Sequence, residues 1–114
     1  MKIELPFLPL SVNQCYGTDW NTKRRFKTKP YNEFIANCAT YMASKKISGD
    51  IEVEFNFYFP DKRKRDCSNY IKGLEDTLVH YGVIDDDSFI QILHVEKYYD
   101  KGKPFTVIEI NSKI

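Results

Sequence analysis

The sequence predicts an α+β fold: one compact domain over residues 1–114, a mixed sheet and two main helices in the order β-α-β-α-β-β. Three observations predict it. Ile51, Val53, Phe55, Phe57 and Phe59 alternate with Glu52, Glu54, Asn56 and Tyr58, the period of a strand with one buried face. Apolar residues at helical spacing precede and follow that strand, and two runs rich in β-branched and aromatic residues close the chain. A length of 114 residues with 42% hydrophobic content suits a single core.

Each element has a local reason. Lys2 to Leu5 reads as a short strand ended by Pro6 and Pro9, and the polar stretch from Ser11 to Lys29, with little periodicity and a turn at Gly17, reads as a long functional loop. From Pro30, suited to the first turn of a helix, Tyr31, Phe34, Ile35, Cys38 and Met42 form an apolar stripe, with Gly49 beyond its end. Pro60 closes the alternating strand. Ile71, Leu74, Leu78 and Tyr81 then fall on one face of a second helix capped by Gly82. Phe89 to Tyr99 and Phe105 to Ile110 read as two strands joined by a hairpin turn at Asp100–Lys103.

Composition excludes several classes. No apolar run approaches the roughly 18 to 20 residues that cross a bilayer, and the opening MKIELPFLPL lacks the unbroken apolar stretch of a signal peptide, so the expectation is a cytoplasmic protein without a membrane partner. Cys15, Cys38 and Cys67 are odd in number, far apart and without CxxC spacing, which predicts reduced side chains rather than a disulfide framework or zinc site.

The formal net charge of +1 hides a segregation. Nine of the seventeen cations lie in two runs, Lys23, Arg24, Arg25, Lys27 and Lys29, then Lys62, Arg63, Lys64 and Arg65, a candidate footprint for phosphates. Tyr16, Trp20 and Phe26 add aromatic faces that suit either ordinary packing or unpaired bases. Immediately after the second run, Asp66 stands where it can cap the second helix, a task Ser68 can also perform. Asn69, Lys72 and Asp76 share one stripe of that helix, and its far end leads into Asp85, Asp86 and Asp87. Adjacent carboxylates repel one another, so they form either a solvated turn or the ligands of a hard cation such as Mg²⁺. In the second case the cations hold a polynucleotide, the carboxylates hold the metal that hydrolyses it, and a lysine assists at the phosphate. His80 and His94 fall outside this set, as packing or surface residues.

The stretch PDKRKRDCSNYIKGLEDTLVHYGVIDDDSFI, residues 60–90, resembles the signature of the RusA family of Holliday junction resolvases, and the N-terminal LPFLPLSVNQCYG resembles the family's proline-rich opening. The resemblance implies an endodeoxyribonuclease that resolves four-way junctions by paired symmetric nicks in recombination, repair or phage DNA processing. It implies Asp66 and Asp87 as catalytic, metal-binding aspartates, Lys72 as the catalytic lysine, and Asn69 and Asp76 in support. Asp86 is placed to share the metal. The implied cofactor is Mg²⁺, with Mn²⁺ as a substitute, and the implied assembly is a homodimer whose two-fold axis offers equivalent sites to opposing strands of branched DNA. The chain departs from the pattern at Ser68, where the family carries an aspartate. The metal then relies on a water held by Ser68 or on Asp85 and Asp86. The alternative is a catalytically weakened protein that binds branched DNA with the same fold.

Overall fold

A computed structural model describes residues 1–113 of the chain. In chain order its elements are β1 (Lys2–Leu5), α1 (Val12–Cys15), β2 (Tyr16–Asp19), β3 (Arg24–Lys27), α2 (Lys29–Met42), β4 (Ile51–Phe59), α3 (Ile71–His80), β5 (Ile90–Tyr99) and β6 (Phe105–Ser112), with 3-10 turns at Cys67–Tyr70 and Asp87–Phe89. The α+β class with a mixed sheet is the observed one. The four-stranded sheet runs β1-β6-β4-β5, with β4 and β5 parallel and the other neighbours antiparallel. Among the described residues no helix is long and apolar enough to cross a membrane.

Alternation in β4 decides which face of the sheet is covered. Ile51, Val53, Phe55, Phe57 and Phe59 are buried in one core with Tyr31, Phe34 and Met42 of α2 and Leu74 and Leu78 of α3, so both long helices pack on that side. Truncating Leu74 or Leu78 to alanine would cost about 2–5 kcal/mol. Hydrogen bonds link the two helices inside the core: Tyr31 donates to the Gly73 carbonyl at 2.7 Å, as does Thr77, whose hydroxyl lies 3.1 Å from that of Tyr31. Cys15 and Cys38 are fully buried free thiols and Cys67 is a half-buried one, as the spacing predicted. Burial pushes the Cys15 thiol up to about 11 and that of Cys38 to about 12, which keeps both protonated.

Helix ends follow the sequence closely. Thr28 accepts the Tyr31 amide at 3.3 Å to open α2, and Pro30 lies in the first turn. At the end of α3, Gly82 takes φ +68°, its amide reaches the Val79 carbonyl at 2.9 Å, and the Val83 amide reaches Leu78 at 3.0 Å. This Schellman closure needs a residue that tolerates a left-handed backbone.

Two expectations are corrected. The segment Ser11–Lys29 is not a loop, because it folds into α1 and the antiparallel hairpin β2–β3. Its strands are mostly exposed and therefore lack the alternation that marks a half-buried strand. They are held instead by the Arg25 guanidinium 3.9 Å from the Tyr16 ring centre and by Phe26 lying over Gly17. The second correction is that β5 and β6 form no hairpin. β4 separates them, and the Asp100 amide bonds to the Phe59 carbonyl at 2.8 Å as the connecting segment crosses the end of β4.

Candidate active site around α3

Two Asp-x-Ser turns frame the site, and the same local chemistry builds both. Asp66 accepts the Ser68 amide at 3.1 Å and its hydroxyl at 2.7 Å, which opens the 3-10 turn leading into α3. Asp86 accepts the Ser88 amide at 3.1 Å and its hydroxyl at 2.6 Å, which opens the turn Asp87–Phe89. In each case the serine side chain first, and its amide second, holds the carboxyl below the usual carboxylate range. Both aspartates are exposed and ionised.

Between these turns the polar stripe of α3 forms the charged centre. Lys72 Nζ lies 3.0 Å from Asp76 one turn later and 3.5 Å from Asp87, whose turn packs back against α3. Asp76, foremost, raises the lysine's proton affinity and keeps it charged. The Tyr16 hydroxyl also donates to Asp76 and so ties the base of the β2–β3 hairpin to this centre. Glu75, half-buried beside them, has its carboxyl pushed up by burial and next by the charge of Asp87. All these donors are hard oxygens in a patch with one cation in salt-bridge reach, a chemistry that fits a hard divalent ion.

Not every predicted residue joins this centre. Asp85 turns to the other side of the acidic stretch, accepting the Gly49 amide at 3.1 Å with Lys46 at 3.8 Å. Asp86 faces Ser88, although the charge of Lys72 reaches it. Asp66 and Ser68 engage each other at the entry to α3.

Cations border the centre. Lys62, Arg63 and Lys64 are exposed, whereas Arg65 is 17% exposed, bound to Asp61 at 2.8 Å and laid over the Phe59 ring at 4.5 Å. Arg65 thus shapes the loop rather than offering a free charge. Lys97 of β5 donates to the Arg65 carbonyl at 2.8 Å, its charge reaches Asp66, and with Tyr99 it lines an open groove of about 290 Å³. Asn69 is exposed, as are Lys23, Arg24, Arg25 and Lys27 on the hairpin.

Sequence reasoning missed Glu75, Tyr16 and Lys97 as members of this neighbourhood. Glu75 carried a signal, since it follows Lys72 by three positions and therefore shares its side of the helix. Tyr16 stood out only as an aromatic face and as part of the N-terminal motif, with no sign of its bond to Asp76, and Lys97 arrives through tertiary contacts and carried no signal. His94 lies elsewhere: with Glu54 and Glu96, on the sheet face away from the helices, it forms the one group among the described residues whose three ligand atoms fall within 4.8 Å of one another.

Acidic oxygens around one lysine, bordered by cationic loops, set opposite charges side by side on the surface around α3. The family described as endodeoxyribonuclease RusA matches residues 7–111. A crossover junction endodeoxyribonuclease RusA of Aquifex aeolicus (strain VF5) is 38% identical over 64 residues, a match covering 56% of this chain and about half, 51%, of that protein. The chain belongs to the RusA endodeoxyribonuclease family.

Proposed function

We propose that the chain is a divalent-metal-dependent, structure-specific endodeoxyribonuclease that resolves four-way DNA junctions by paired nicks. The observation that carries this reading is Lys72, held at 3.0 and 3.5 Å between Asp76 and Asp87 in an oxygen-rich patch bordered by basic loops. Family membership and the relative's description as a crossover junction endodeoxyribonuclease support it.

Asp66 and Asp87 are the proposed catalytic aspartates, and together with Asp86 and a water oriented by Ser68 they would hold the metal, Mg²⁺ or Mn²⁺. The ion would supply Lewis acidity at the phosphate and lower the pKa of a bound water. The remaining work falls to the chain. Lys72, kept charged by its carboxylate neighbours, places a positive charge at the scissile phosphate. Lys62, Arg63 and Lys64, with Asn69, hold one stretch of sugar–phosphate backbone, while Lys23, Arg24 and Lys27 hold another. Arg65 and Arg25 keep those two surfaces in shape through Asp61 and Tyr16. A homodimer would present two such sites related by a two-fold axis, which matches a substrate cut at two symmetric positions. Such a nuclease would act in the cytoplasm of a bacterial or phage-infected cell, in recombination, repair or phage DNA processing.

The deciding experiment incubates the wild-type chain with a synthetic four-way junction in Mg²⁺ and in EDTA, then maps the cuts. Symmetric nicks that need Mg²⁺ are expected; an intact junction in Mg²⁺ refutes the nuclease. A second reading rests on Ser68, whose hydroxyl is occupied by Asp66 at 2.7 Å where a second carboxylate would add charge to the metal site. On that reading the protein binds branched DNA without turnover.

A further inference from the structure

The hairpin β2–β3 lies outside the main sheet and carries three aromatic side chains, of which two are already engaged. Tyr16 receives the Arg25 guanidinium on its face, packs edge-on against Tyr31 and donates its hydroxyl to Asp76. Phe26 spans the hairpin over Gly17, where an added Cβ would come within 2.5 Å of the ring. Trp20 is different. It stands first in the turn joining the two strands and is 84% exposed, the most exposed large hydrophobic side chain among the described residues.

That turn is shaped rather than slack. The Asp19 carboxylate accepts the Asn21 amide at 2.9 Å and the Thr22 amide at 3.4 Å, and Lys23 adopts a left-handed backbone with φ +57° before the chain re-enters β3. Asp19, the one acid from Tyr16 to Lys29, is consumed by this turn, while Lys23, Arg24 and Lys27 stand exposed just after the indole. A rigid cationic ribbon with a bare indole at its tip has the complement of charge and stacking surface that nucleic acid with an accessible base requires.

We propose that Trp20 is a stacking wedge that inserts against a base face left unstacked at the branch point, with Lys23, Arg24 and Lys27 neutralising the flanking phosphates. The inference rests on the reading of the chain as a junction nuclease and adds to it a source of selectivity. A fully paired duplex buries its base faces, so it gains only the phosphate contacts, whereas a branch point adds a stacking partner that tolerates any base. The bond from Tyr16 to Asp76 holds the ribbon beside the proposed cleavage centre.

Trp20 is the single tryptophan of the chain and reports on its own environment. Its emission would be followed in EDTA as a four-way junction, or a linear duplex of equal length, is added to the full chain. Quenching by the junction and not by the duplex is expected. In a separate binding assay Trp20→Ala should bind the junction roughly tenfold more weakly with duplex affinity unchanged, and Trp20→Phe should restore most of the difference. Emission unmoved by the junction, or an unchanged junction-to-duplex ratio in Trp20→Ala, overturns the wedge. Cleavage in Mg²⁺, assayed alongside, separates the two ideas. Nicking without quenching removes the wedge alone, whereas quenching without nicking leaves the wedge and removes the nuclease.

Discussion

Two groups of ionisable side chains occupy opposite faces of the sheet, and they differ in a way that separates geometry from function. On the outer face Glu54, His94 and Glu96 bring three ligand atoms within 4.8 Å, because cross-strand neighbours and positions two apart on one strand are held at fixed short spacing. Yet that set largely satisfies itself. His94 lies 2.5 Å from Glu96, whose other oxygen accepts the Tyr98 hydroxyl at 2.5 Å, and the carboxylates of Glu52 and Glu109 line the same shallow pocket, with Lys113 held by Glu52 at 3.6 Å. Around α3 the carboxylates are more widely spread, but they enclose a lysine and adjoin the basic loops. Compactness marks a place where a cation could sit; the surrounding charge decides whether a polyanion could be brought to it.

The largest expected effect breaks the comparison outright. Asp87→Asn should reduce junction cleavage by more than the roughly 10- to 100-fold typical of an outer-shell partner, while leaving junction binding intact or stronger. Glu96→Gln, measured in the same gel assay, should cleave like wild type. Equal losses in both variants would transfer the chemistry to the outer face.

Lys72→Ala comes next. Its cleavage rate should fall roughly tenfold or more, while the junction Kd rises only a few-fold, since one phosphate contact among several is lost. A rate unchanged by this variant would make Lys72 an ordinary helix-surface partner of Asp76.

Glu75→Gln sharpens the electrostatic side. Burial and Asp87 raise the Glu75 carboxyl, so its neutral form is favoured in the fold and stability is lost as pH rises through that raised midpoint. Thermal denaturation in EDTA at neutral pH should show the variant melting a few degrees above wild type, with the advantage shrinking on acidification. A variant that melts lower in EDTA would mean that Glu75 makes a favourable contact in its ionised form.

The smallest effect belongs to the outer face. Glu96, foremost, raises the His94 imidazole above its ordinary value, so the ion pair is complete below the unfolded midpoint and fades as pH climbs through the raised one. A proton-NMR titration should place His94 high in wild type and lower in Glu96→Gln; coincident curves would dissolve the pair.

Much of this arrangement was legible before any coordinates. The alternation of Ile51–Phe59, the Pro30 entry of α2 and the Gly82 closure of α3 are each written in a few consecutive residues, because burial of one face and capping of one end are local requirements. Asp66, Lys72 and Asp87 were visible through their motif, and Lys72 does meet Asp87 in the structure. The hairpin β2–β3 was hidden because an exposed ribbon has no need of apolar periodicity. Glu75 was hidden by the neighbouring Asp76, which drew attention to one carboxylate where two adjoin the lysine.

Outside Ser11–Lys29, the sequence by itself determined which segments are helix or strand, which faces are apolar, and which residue types gather near α3. Only the tertiary structure decided that β6 lies beside β4 rather than β5, that Asp85 turns away to Gly49 while Asp87 turns toward Lys72, and that Tyr16 reaches Asp76 from sixty residues away. Periodicity specifies a face to be covered but not the element that covers it. Partners distant along the chain are chosen by the packing of the whole core, and no short window of residues contains that information.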